Sequence, residues 1–238
     1  VTASLGQIAS LKPGHVMMPQ VEQPEPRDKA QIYFVDVPNA KQSFIRIGSR
    51  AMIANSADYY PAVAVNHNLG GSFSGQLFQI LRLQKGYTYG AYSGFSRSNE
   101  GGAFTAQSSV RSNVTLESLE TFREIFENYE KNFDQAALDS AKSILTKQDA
   151  RAFETPSSLM GVLQNINTYD LPKDYVAIQQ QALATMTLTQ AKDTMSKYMD
   201  SDKMIYLVVG DAKTQLPRLK ALGLGNVIEL DKTGNRIK

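Results

Sequence analysis

From Tyr59 through Asn99 the chain contains no Asp or Glu, yet it carries Arg82, Lys85 and Arg97 and eight aromatic rings. A guanidinium and a phenol in an acid-free stretch suit a carbonyl oxygen or an anionic group, because no neighbouring carboxylate competes for their hydrogen-bond donors. The same region is rich in glycine. Gly70, Gly71, Gly75, Gly86, Gly90, Gly94, Gly101 and Gly102 are eight of the sixteen in the chain. Such density reads either as a helix–strand junction where backbones approach closely or as a loop that brings donors to a ligand.

Other chemistries are poorly provided for. With no cysteine, disulfides, thiolate metal sites and cysteine nucleophiles are excluded. The two histidines, His15 and His67, lie 52 residues apart, too few and too far for a His-based metal site. His67 is expected to be a helix-end histidine bonded to backbone or water, and His15 to be solvated. Glu117, Glu120, Glu124 and Glu127 recur at helical spacing opposite an apolar stripe and read as a solvated face. The serines near Gly71 to Gly75 have no base in view. Lys plus Arg at 25 against Asp plus Glu at 23 leaves a net charge of +2, no footprint for nucleic acid. No run approaches the roughly 18 apolar residues of a membrane span.

The elements that must position Arg82 and Tyr89 follow from periodicity and punctuation. At 42% hydrophobic and 20% charged, the chain can build a core. It opens on Val1, which suggests a fragment or a processed chain. Residues 1–30, with Pro13, Pro19, Pro24 and Pro26, read as an extended linker, and 31–238 as one folded domain. QIYFVDV and QSFIRIGSR read as a strand pair around Pro38-Asn39-Ala40, followed by a helix over 59–68. A helix over 75–85 has Ser74 as cap and Gly86 as stop, and TYGAYSGFS with GAFTAQSSV forms a second hairpin.

Beyond it, LESLETFREIFENYEK is amphipathic through Leu116, Leu119, Phe122, Phe126 and Tyr129. Asp134 caps another long helix, while Thr155-Pro156, Asp170-Leu171-Pro172 and Thr189 punctuate three more. MIYLVVG is a buried strand, a short helix spans 216–222, and NVIEL ends the pattern. The order implies an α+β fold with a mostly antiparallel sheet covered by helices on one face.

On the 75–85 helix, Phe78, Arg82 and Lys85 share one face while Leu77, Ile80 and Leu81 turn to the core. On the next strand Tyr87, Tyr89, Ala91 and Ser93 should share a side opposite Thr88, Gly90 and Tyr92. A tight turn at Gly86 would then let Arg82 and Tyr89 converge, either on a substrate atom or on each other as a structural hydrogen bond.

The run NHNLGGSFSGQLFQILRLQKGYTYGAYSGF, Asn66 to Phe95, closely resembles the C-terminal half-domain of pitrilysin and insulin-degrading-enzyme-like zinc metallopeptidases. The element order extends the likeness over about residues 31–230. In that family a catalytic half carries H-x-x-E-H and a distal Glu for zinc, and a homologous inactive half closes over the substrate. The inactive half supplies an Arg and a Tyr seven residues apart, a spacing that Arg82 and Tyr89 match. His67 is followed by Asn-Leu-Gly-Gly, so the zinc motif is missing.

The resemblance therefore implies no catalytic residue and no metal in this chain alone. It implies substrate binding by Arg82 and Tyr89, a peptide substrate, and a catalytic half holding zinc and base, in the same polypeptide or in a second subunit. The alternative is a structural or interaction protein of this fold with no role in proteolysis, as in the family's respiratory-complex core proteins. A bacterial periplasm or cell envelope is the expected location, with the cytoplasm as alternative.

Overall fold

In the computed structural model, Glu25 and residues 27–237 are described. Most of the expected 1–30 linker, with His15, Met17 and Met18, lies outside the described residues. The strands are β1 (Gln31–Asp36), β2 (Gln42–Ala51), β3 (Thr88–Phe95), β4 (Gly102–Arg111), β5 (Ile205–Gly210) and β6 (Ile228–Leu230). The α-helices are α1 (Tyr59–His67), α2 (Thr115–Asn132), α3 (Gln135–Ala150), α4 (Pro156–Tyr169), α5 (Tyr175–Thr185), α6 (Leu188–Tyr198) and α7 (Ala212–Leu219). Between α1 and β3 runs a π-helical segment, Phe78–Gln84. Among the described residues no helix is long and apolar enough to cross a membrane.

The strands form one sheet in the order β3-β4-β2-β5-β1-β6. β2 pairs antiparallel with β4 and β5, and β3 with β4; β1 runs parallel to β5 and β6. The α+β class and the mostly antiparallel sheet agree with the sequence reading. The expected pairing of β1 with β2 does not occur, because β5 lies between them. Its run IYLVVG has no charged residue, and such a strand gains most from a central position where both edges are paired.

Alternation builds the layers. On β2, Ser43, Ile45, Ile47 and Ala51 are buried, while Gln42, Phe44, Arg46 and Arg50 point to the opposite face. The buried side meets α2, whose Leu119, Phe122, Phe126 and Tyr129 join Phe34, Ile45, Ile47, Phe104 and Tyr206 in the main core. Phe104 and Phe126 meet edge to face at 6.1 Å between ring centroids. Truncating a buried Phe such as Phe122 to Ala removes about 3–5 kcal/mol of stability.

The helix ends follow local chemistry. The Asp134 carboxylate accepts from the Ala137 N–H at 2.8 Å, and Thr155 Oγ1 accepts from the Ser158 N–H at 3.1 Å. The cap of α6 is Thr187, in a capping box with Gln190, rather than the expected Thr189. The solvated face of α2 holds for Glu120, Glu124 and Glu127. Glu117 departs from it: it is half-buried and receives Arg218 at 2.6 Å, because α7 packs across the start of α2.

Candidate active-site face

Leu77 and Leu81, four apart, are fully buried and pin the segment that carries Arg82. Its winding is wider than the α-helix expected there: the Lys85 N–H reaches back five residues to the Ile80 carbonyl at 2.9 Å. That turn leaves Ile80 only half-buried. The segment stops at Gly86, whose φ is +63, a conformation that side chains with a Cβ resist. The chain then reverses, and the Tyr87 N–H bonds the Leu81 carbonyl at 2.9 Å.

The strand that follows breaks the alternation expected from its sequence. Thr88 pairs with Val110 and Ala91 with Ser108, so three steps along β3 match two along β4. This is a β-bulge at Tyr89 and Gly90. Thr88 Oγ1 lies 2.7 Å from the Ser109 carbonyl and accepts from the Gly90 N–H at 3.1 Å. The Ser108 hydroxyl adds a bond to the Gly90 carbonyl at 2.9 Å. Thr88 and Ala91 therefore both face the core, and Tyr89, 83% exposed, is turned outward. The expectation that Tyr89 and Ala91 share a face is corrected by the bulge: one extra residue inverts the sides.

The outward turn brings Tyr89 beneath Arg82. The guanidinium carbon stands 5.2 Å from the Tyr89 ring centroid, within cation–π range. The expected convergence occurs, through the ring face rather than through a hydrogen bond between the two side chains. Among the described residues no carboxylate pairs with Arg82, and no hydrogen bond reaches the Tyr89 hydroxyl. Both donors are available to a ligand. Lys85 instead lies over Tyr87 at 5.6 Å.

The glycine-rich turn supports this face from behind. At Gly70 a Cβ would sit 2.4 Å from Ser93 Oγ and 2.6 Å from Leu77 Cδ1, so only glycine lets the turn pass between them. The Gly70 carbonyl accepts from the Ser93 N–H at 2.9 Å, and the Asn66 amide donates to the Ser93 carbonyl at 2.9 Å. These bonds cover part of the free edge of β3. Next to them Phe73, 70% exposed, meets Phe78 and Tyr92 edge to face at 5.3 and 5.8 Å. Sequence reasoning noted these aromatics without grouping them, since Phe73, Phe78 and Tyr92 follow no single period.

His67 ends α1 and is buried. Its Nε2 has no hydrogen-bond partner among the described residues. Burial holds its pKa below the ordinary 6.5, because a charged imidazolium would lose its hydration. No group of three or more His, Cys, Asp or Glu among the described residues could hold a metal ion. With Asn-Leu-Gly-Gly after His67, the donor set does not fit zinc.

Two features outside this face were not anticipated. Arg97 lies among Tyr59, Tyr169 and Tyr175, and the Tyr60 hydroxyl donates to the Asp149 carboxylate. Burial raises the pKa of both Tyr60 and Asp149. Tyr59 lies more than a hundred positions from Tyr169 and Tyr175, beyond the reach of any local pattern.

A family model for the peptidase M16 inactive domain matches residues 4–145. A curated relative from Helicobacter pylori, the non-peptidase homolog YmxG, is 23% identical over 179 residues, covering 74% of this chain and 41% of its own length. The crystal structure of a peptidase M16 inactive domain from Pseudomonas fluorescens is 27% identical with a TM-score of 0.74, over 88% of this chain and 50% of its own. That of a protease from Helicobacter pylori has a TM-score of 0.75 at 17% identity, over 84% of this chain and 48% of its own. The chain thus spans about half the length of these relatives or less.

Proposed function

Because this chain belongs to the peptidase M16 inactive-domain family, we propose that it is the noncatalytic, substrate-binding half of a zinc metalloendopeptidase. Its companion is a homologous H-x-x-E-H half, in the same polypeptide or in a second subunit, and that half holds the zinc and the general base. The observation that carries the reading is the Arg82–Tyr89 stack, 5.2 Å from guanidinium carbon to ring centroid, with Tyr89 83% exposed on its bulge. A buried scaffold pair would not leave its phenol in solvent.

Stacking holds the planar guanidinium in one orientation, and both side chains can donate to peptide carbonyl oxygens beside the scissile bond. Their contribution is positioning, together with stabilisation of negative charge as it develops on the carbonyl oxygen. Zinc, when bound in the companion half, polarises the peptide carbonyl and activates the hydrolytic water. This chain's residues supply donors and shape. The lack of cysteine suits a bacterial periplasm or cell envelope, with the cytoplasm as alternative, and cell fractionation distinguishes the two.

The test is reconstitution. This chain alone should cleave no peptide, and peptide hydrolysis should appear when it is combined with its H-x-x-E-H half. Chelator-sensitive hydrolysis by this chain alone would overturn the division of roles. The name of the Helicobacter pylori relative, a non-peptidase homolog, favours a second reading: an interaction protein of the same fold with no role in proteolysis. Under that reading the reconstituted assembly hydrolyses peptide equally well with Tyr89→Phe or Arg82→Lys, or not at all.

A further inference from the structure

Arg97 follows β3, outside the face described above. Its guanidinium carbon lies 4.3 Å from the ring centroid of Tyr59, 5.7 Å from Tyr169 and 6.0 Å from Tyr175. The three rings come from separate elements: the first residue of α1, the last of α4 and the first of α5. Among the described residues no carboxylate pairs with Arg97, so the rings are its partners. A guanidinium surrounded by ring faces is held by their quadrupoles and shielded from competing water.

The ground beneath Arg97 is firm. The Ala54 N–H bonds the Ser98 carbonyl at 2.8 Å, and the Gly102 N–H bonds the Met52 carbonyl at 3.0 Å. Both ends of the β3–β4 connection are thereby tied to the segment between β2 and α1. The other side of the cage is loosely built. α4 has no fully buried residue, and its Val162, Ile166 and Tyr169 pack on Leu171, Tyr175 and Val176 in a cluster separate from the main core. Its outer side exposes Leu159, Met160 and Leu163, and the helix carries no charged residue. The main core is regained only at Leu183 and Met186.

We infer that α4 and the first turns of α5 form a flap that opens as a unit, and that Arg97 is the latch holding it to the β3–β4 hairpin. Among the described residues one side-chain hydrogen bond also crosses the seam, from the Asn99 amide to the Thr168 carbonyl at 2.7 Å, and α5 packs on α1 and α3. A segment with its own small core and few links to the rest opens without global unfolding, at a free energy set by those links. Arg97 supplies the two ring contacts, with Tyr169 and Tyr175, that span the seam. This latch is independent of any role for Arg82 and Tyr89.

Hydrogen exchange read by mass spectrometry on the full chain tests the latch. Arg97→Gln should raise exchange in peptides covering 156–182 by roughly 10-fold, with β2, β5 and α2 unchanged. Tyr169→Phe, which keeps the ring face, should exchange like the wild type, and Tyr169→Leu should reproduce the release. An equal rise in all elements would make Arg97 a general stabiliser and overturn the flap. Unchanged exchange at 156–182 in Arg97→Gln would overturn the latch. If Arg97→Gln does not fold, the Tyr169 pair decides: equal exchange in Phe and Leu variants rejects the proposal.

Discussion

Arg82 and Arg97 are fifteen positions apart, each stacked on tyrosine, yet their surroundings are opposite. Arg97 is enclosed by three rings from three elements, so its stacking is spent on joining them. Arg82 has one ring partner, and that ring is 83% exposed. The same interaction serves cohesion in one place and presentation in the other. What separates them is the number of elements joined and the exposure of the polar ends.

The sharpest way to break this comparison is at Tyr89. In the reconstituted enzyme Tyr89→Phe should lower kcat/KM by roughly 10²-fold, as expected for loss of one donor to a developing oxyanion, while the melting temperature stays within a degree or so. Arg82→Lys keeps the charge but loses the planar fork, and should follow the same pattern. A fall in melting temperature with unchanged turnover would make Arg82 and Tyr89 scaffolding like Arg97.

The bulge offers the next test. Thr88→Val deletes the hydroxyl that bonds the Ser109 carbonyl and the Gly90 N–H. It should cost about 1–3 kcal/mol by denaturant unfolding, through unpaired buried groups. Turnover should fall with it, because the bulge aims Tyr89. Stability loss without any change in turnover would separate the aim of Tyr89 from the bulge.

A smaller effect is expected at Gly86, which has φ +63 and open space where a Cβ would stand. Gly86→Ala therefore reports backbone strain alone, about 1–2 kcal/mol. Loss of stability well above that range would show that the turn also loses the bond from the Tyr87 N–H to the Leu81 carbonyl.

The smallest effect concerns pH. Burial holds the folded pKa of His67 below the unfolded value of 6.5, so the unfolded chain binds the extra proton first. Its penalty is absent above about pH 6.5 and grows as pH falls toward the folded value, so stability rises with pH in that window. His67→Gln should flatten the slope between about pH 5 and 7. The carboxylates with lowered pKa, such as Asp58, act below their ordinary value of 3.8 and do not overlap. An unchanged slope in the variant would assign it to other groups.

Much of the fold was legible because it depends on short-range order. The stripe Leu119, Phe122, Phe126 and Tyr129, the cap Asp134 and the stop at Gly86 are each written within a few residues, and each took the expected place. The acid-free stretch and the turn at Gly86 pointed to the convergence of Arg82 and Tyr89, and the spacing of seven entered only through the family resemblance. Glu117 could not be placed correctly, since its partner Arg218 lies 101 residues away.

The sequence by itself determined the α+β class, the helix stripes and the absence of an H-x-x-E-H motif, because periodicity and residue type act locally. Only the tertiary structure decided that β5 separates β1 from β2, since strand order is settled by burying the most apolar run at the centre. It also decided that Tyr89 faces outward. Alternation along β3 put Tyr89 on the same side as Ala91, and their separation depends on hydroxyls of Thr88 and Ser108 meeting across two strands. The Arg97 cage joins rings more than a hundred residues apart, a proximity that exists only once the helices pack.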